Sequence, residues 1–230
     1  MEMLHLITLC AHVLGGTVAF IAAPIALIVK KGANAHRIWG KIYFWAITLV
    51  VISGIILSLM LKNIFLFCVA FFSYYLVVSG YRWLYNKNPG KKIARLDWYI
   101  TGIAMFFCAG LIAFGAWKLL QNSHNPFGYI SIVFGLIGIN FGRGNIIQYK
   151  NPQRTRSQWL FNHIGGMIGS YIATISAFSA VNMNFLPTIL QWLWPTIIGV
   201  PVIYFFYMFY KKKISGGKKI EDLVQVKAGR

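Results

Sequence analysis

Histidine is the side chain that most often ligates a metal or moves a proton near neutral pH. This chain has five: His5, His12, His36, His124 and His163. His5 and His12 share one face of a helix. His36 is followed by Arg37 in a short basic break, and His163 heads a helical stripe with Met167, Ser170 and Thr174. The acids constrain the chemistry by their placement. There are 4, namely Glu2, Asp97, Glu221 and Asp222, and none falls inside an apolar run. Carboxylate proton relays, buried sodium sites and carboxylate-assisted zinc hydrolysis all need such a group at depth, so those mechanisms are set aside. Neutral imidazole remains, and it is an axial ligand of haem iron. Arg37, Arg82 and Arg143 supply cations that would meet propionate carboxylates. Grouped by side, His36 and His163 make a candidate inner haem b site, and His12 with His5 or His124 a candidate outer one. His36, Arg37 and Arg143 serve equally as a cationic vestibule for a small anionic solute. By helical rise, His12 lies roughly 12 Å below one edge of the apolar layer and His163 about 6 Å from the other, too far apart to share one metal. No catalytic residue and no metal-ion ligand set is assigned.

The elements that must position these groups are long apolar runs. The chain has 230 residues, of which 58% are hydrophobic, 17% aromatic and 11% charged. A soluble domain carries about a quarter charged residues, so this composition is that of a membrane protein. Seven segments are long enough to cross a hydrocarbon core about 30 Å thick. They lie at about 4–29, 38–61, 63–85, 98–120, 127–149, 159–182 and 188–210. Breaks rich in Gly, Pro, Asn and charge separate them. The expected fold is all-α: a polytopic transmembrane helix bundle forming one domain over residues 1–210, with a basic tail at 211–230.

The charges give an orientation. Net charge is +18, which in a soluble chain would suggest nucleic acid. Here the cations sit in short gaps between apolar runs, the footprint of topology and lipid headgroups. Of the 22 Lys and Arg residues, all but Lys62 and Lys118 fall in the first, third and fifth breaks, on their flanks, or in the tail. Positive charge stays cytoplasmic, so the N-terminus is expected outside and the C-terminus in the cytoplasm. Trp39, Trp83, Trp98 and Trp159 fall near the basic ends of their segments, as an interfacial belt requires. The Lys211–Lys219 run is expected to lie solvated against anionic headgroups. Small residues at four-residue spacing (Gly165, Gly169 and Ala173; Gly15, Ala19 and Ala23; Gly138 and Gly142) mark faces for close helix contact. They predict that segments one, five and six pack centrally, and they offer faces for oligomers.

The motif His12-x-x-x-Gly16, then Pro24, then Lys31-Gly32-x-x-x-His36-Arg37-x-x-Gly40-Lys41-x-Tyr43 resembles the start of domain-of-unknown-function family 2306. The run Trp159-x-x-x-His163-x-x-x-Met167-x-x-Ser170-Tyr171-Ile172-Ala173 is similar to a later helix of that family. The resemblance covers about a third of the chain and implies a multi-pass protein of a bacterial cytoplasmic membrane. It brings no established activity. It does put His12, His36, Arg37, His163 and Met167 first among the candidates. Three functions stay open on the sequence: a b-type haem or quinone-linked electron carrier, a small-solute transporter with a cationic vestibule, and a membrane scaffold without chemistry.

Overall fold

A computed structural model describes residues 2–151 and 153–225. The tail cations Lys227 and Arg230 lie outside the described residues. Among those described there is no strand. The helices are α1 Glu2–Ile28, α2 Asn34–Met60, α3 Ile64–Arg82, α4 Arg95–Gln121, α5 Pro126–Lys150, α6 Gln158–Asn182, α7 Thr188–Ser215 and a single turn α8 at Ile220–Leu223. A 3₁₀ turn, Trp83–Tyr85, extends α3. Seven of them are long and apolar enough to cross a membrane, with mean hydropathy between 1.5 and 2.3. The chain is an integral membrane protein of the multi-pass helical class.

Local chemistry explains the ends. Asn63 caps α3, its side-chain oxygen accepting from the Leu66 amide at 3.1 Å. Asn125 does the same for α5, from Phe127 at 3.0 Å, with Pro126 in the first turn. These side chains satisfy amides that a helix start leaves without partners. The basic hinge between α1 and α2 is shorter than its composition suggests. Helix α2 begins at Asn34, so His36 and Arg37, expected in a break, ride on its first turn. Gly32 makes the turn with φ +74°, a conformation glycine adopts without cost.

The arrangement of helices departs from the expected centre. Helix α3 packs against α2, α4 and α6, and α6 against α3 and α7, while α1 pairs mainly with α2 at one flank. The reason is one pair of glycines. A Cβ on Gly166 would lie 2.6 Å from the Gly80 Cα, and one on Gly80 would lie 2.9 Å from the Met167 amide. The expected stripe through Gly165 and Gly169 sits beside this contact: a Cβ on Gly165 would find Phe141 at 3.9 Å, an ordinary contact. The α1 stripe packs where a small face should. Gly15 lies against Val50 and Ala46 of α2, and Ala19 and Ala23 are buried. Gly138 and Gly142 of α5 lie against Cys108 and Met105 of α4. These small faces are filled within the chain itself.

Polar groups cluster at one end. Asn145 donates to the Tyr75 hydroxyl at 2.8 Å and to Ser79 Oγ at 2.9 Å, and accepts from Trp83 Nε1 at 2.9 Å. Arg82 and Asp97 pair at 2.5 Å, joining the end of α3 to the start of α4. Trp83 and Trp159, expected in an interfacial belt, are instead buried with Leu160 and Tyr210. Ile220 and Val224 of the tail join the same cluster, so the tail's apolar residues pack on the bundle. Its lysines Lys211, Lys212, Lys218 and Lys219 remain exposed.

The Gly80–Gly166 contact makes a direct prediction. Gly166→Leu should destabilise the protein in detergent by about 1–3 kcal/mol or more, as overpacking does. Gly165→Ala should leave the melting temperature near that of the parent. Thermal unfolding of the two variants checks this.

Candidate functional site

One cavity of about 340 Å³ opens among α1, α2, α3, α6, α7 and the tail. That volume is in the range of a pocket for a small organic ligand. It gathers the first and third breaks, the start of α6 and the end of α7, so it lies at the end where the cations cluster. Its walls are apolar or aromatic, among them Leu27, Leu160, Ile164, Phe206 and Tyr210, and Met167 lines it too. Toward the middle of the bundle it is closed: Ala19, Ala22 and Val77 are fully buried, and Tyr43 shares a 2.8 Å hydrogen bond with Ser170.

Two of the five histidines meet in this cavity. The rings of His36 and His163 have centroids 6.4 Å apart and stand nearly perpendicular, at 78°. Both are oriented in the same way. His36 Nδ1 lies 2.8 Å from the Ala26 carbonyl, and His163 Nδ1 lies 2.9 Å from the Gly80 carbonyl. A carbonyl can only accept, so each Nδ1 carries the hydrogen. In the neutral ring this leaves Nε2 with its lone pair. A backbone carbonyl holding the second ring nitrogen is the usual support of a ligating histidine. The acceptors are available because each lies near the end of a helix, where the last carbonyls lack intrahelical partners or take a second bond.

Cations surround the two imidazoles: Lys31, Arg37, Lys41 and Lys87 all line the cavity. Lys31 donates to the Leu27 carbonyl and Arg37 Nε donates to the Gly32 carbonyl at 2.7 Å. Lys87 sits 5.1 Å from the centre of the Trp159 ring, a favourable cation–π placement. Burial pushes the Lys31 ammonium below the ordinary lysine range, and burial with the nearby Arg37 charge does the same for Lys87. Among the described residues the one ion pair is Arg82–Asp97, so no carboxylate balances these four.

The remaining candidates lie elsewhere. His12 bonds across to α2, with Nδ1 3.0 Å from the Val50 carbonyl and 3.1 Å from Ser53 Oγ. His124 is exposed in the turn between α4 and α5, and His5 is half-buried near the start of α1. Arg143 is exposed on α5 and does not line the cavity. The structure thus assembles His36, Arg37, His163 and Met167, and leaves His12, His124 and Arg143 apart from them. Lys87 had appeared in the sequence only as a topology charge, and Lys31 and Lys41 as topology charges and members of the hinge motif, none as a candidate site residue. The i, i+4 spacing of Trp159 and His163 was a readable signal; Lys87 carried none. Among the described residues no three or more His, Cys, Asp or Glu side chains cluster, and this imidazole pair is the donor set the cavity offers.

No protein-family model, no curated protein and no solved structure matches this chain.

The buried lysines titrate early. A ¹³C NMR titration of reductively methylated protein should show two lysine lines with midpoints below the ordinary value of about 10.4, because burial favours loss of the ammonium proton. One line should vanish in Lys31→Arg and the other in Lys87→Arg.

Proposed function

We propose that this protein holds an amphiphilic anion in its basic-end cavity, that the anion is a haem b, and that the protein is a membrane-bound electron carrier. The observation that carries this reading is the imidazole pair. Two imidazoles on opposite sides of one metal ion, at metal–nitrogen distances of about 2.0 Å, hold their ring centroids roughly 6 Å apart. The separation of His36 and His163 is 6.4 Å. The cations then decide what kind of metal centre fits. Lys31, Arg37, Lys41 and Lys87 repel a naked metal ion, whereas a metal complex that carries its own carboxylates is attracted. The apolar walls suit a macrocycle. A haem bound here would supply one-electron redox chemistry. The chain's own residues would do the rest: the Ala26 and Gly80 carbonyls hold the imidazoles by Nδ1, and Arg37 and the lysines would take the propionates.

The excess of cations at this end supports a cytoplasmic placement of the cavity and an outward N-terminus in a bacterial cytoplasmic membrane. Exposed lysines of the tail would meet anionic headgroups there. The outer haem site is dropped from the reading, since His12 and His124 are not gathered into a shared cavity. Electrons would therefore be exchanged at the cytoplasmic face.

A second reading, a vestibule for transported anions, is favoured by the four unbalanced cations alone. Arg143 no longer belongs to it. The closed floor at Tyr43 and Ser170 means that transport would need this hydrogen bond to break.

A visible spectrum separates the two. Protein expressed with added haemin should show a Soret band and the sharp visible bands of six-coordinate low-spin iron. His36→Ala and His163→Ala should each lose that low-spin signature. If the parent protein carries neither Soret band nor iron, the haem reading fails. The vestibule reading then predicts that Lys31→Met and Lys87→Met reduce anion uptake into proteoliposomes.

A further inference from the structure

The cavity mouth is covered by the chain's own tail. After α7 ends at Ser215, Gly216 and Gly217 turn the chain back, with Gly217 at φ +88° and open space around it. Residues 218–225 then run across the bundle. Ile220 and Val224 are buried against Trp83, Trp159 and Tyr210, and Val224 and Gln225 line the cavity directly. At the far edge the Gln225 amide donates to the Lys31 carbonyl at 3.1 Å. Gly32 is the seat for this contact: a Cβ there would lie 2.4 Å from the Gln225 carbonyl oxygen and 2.9 Å from Val224 Cγ1.

We propose that residues 218–225 are a hinged strap that gates entry to the basic-end cavity, swinging on Gly216–Gly217 and latching at Gly32. Three features support motion over static packing. The strap is joined to the α1–α2 hinge by a single backbone hydrogen bond, and to the bundle by the side chains of Ile220, Leu223 and Val224, few ties for a segment at a helix terminus. The glycine pair allows backbone rotation without side-chain clash. The side chains it turns outward are polar, with Lys218, Lys219, Glu221 and Asp222 exposed, so it is already wetted on one face. Two of the chain's 4 acidic residues are on this strap. Lys218 and Lys219 offset them, so the strap carries no net charge of its own and leaves the cations at the mouth unbalanced. The gate stands whatever fills the cavity.

The test reads access directly and needs no ligand. Leu84 lines the cavity, so Leu84→Cys in a Cys10→Ser background reports on it through labelling by a water-soluble maleimide. Ser215→Cys, exposed at the end of α7, gives the open reference rate. With the native strap, Leu84→Cys should label slowly. Adding Val224→Asp or Gly32→Val should speed labelling about tenfold, as a shift toward the open population requires. Melting temperature and gel filtration confirm that each variant stays folded, and Val224→Ser serves as the milder latch variant. Two results would overturn the gate: equal rates with and without the latch substitutions in folded protein, or a native rate already equal to the Ser215→Cys reference. Haem content is scored separately, so loss of the haem reading leaves this measurement intact.

Discussion

The close approach of Gly80 on α3 and Gly166 on α6 is the contact on which the site depends. In lipid, where burial of apolar side chains gives no drive between helices, backbones that touch gain their adhesion from packing. Here a Cβ on either glycine would collide with the opposing backbone. The same contact sets His163. One turn before Gly166 on α6, its Nδ1 reaches the carbonyl of Gly80 itself. Helix adhesion and imidazole orientation are thus one piece of geometry, and a side chain at either glycine would disturb both.

The same economy holds on the other side of the cavity. Helix α1 ends at Ile28, and its last carbonyls need donors. Lys31 takes Leu27, His36 takes Ala26, and Arg37 takes Gly32 at the turn. Each basic group therefore spends a hydrogen on a backbone acceptor. For Arg37 and Lys31 the positive charge survives the bond and still faces the cavity. For His36 the bond selects a tautomer. No carboxylate is needed to orient either imidazole, which explains how a site with such chemistry sits in a chain so poor in acids.

Much of this was legible in the sequence, and the failures have physical causes. The seven helices followed from run length and hydropathy, because lipid leaves few alternatives to a continuous helix. His36, Arg37, His163 and Met167 were singled out, and all four line one cavity. The position of His36 was misjudged because Lys30–Arg37 reads as one polar break, whereas α2 has already started at Asn34. The central helix was missed because small residues mark every close face without saying which partner each face meets. Gly166 and Gly80 looked no different from Gly165. Trp83 and Trp159 read as interfacial anchors, since nothing local announces that Ile220 and Val224 return to cover them. Contacts between residues far apart in sequence, such as Gln225 with Lys31, leave no periodic trace.

Charge balance supplies the last constraint. The end of the bundle that holds the cavity pairs one of its cations internally: Arg82 with Asp97, whose carboxylate is almost wholly enclosed. That pair is a structural brace, removed from the cavity lining and joined to Asn86. Lys31, Arg37, Lys41 and Lys87 have no such partner among the described residues. Keeping several like charges near one apolar space is costly, and the cost falls on the ammonium groups least able to reach water. Lys31 and Lys87, both pushed toward deprotonation by burial, carry that cost in the protein alone. An anion entering the cavity offsets it, favouring their charged form and strengthening its own hold. The ligand's affinity and the protonation of these lysines are linked quantities, so a tight ligand for this site must be negative at the mouth and apolar within.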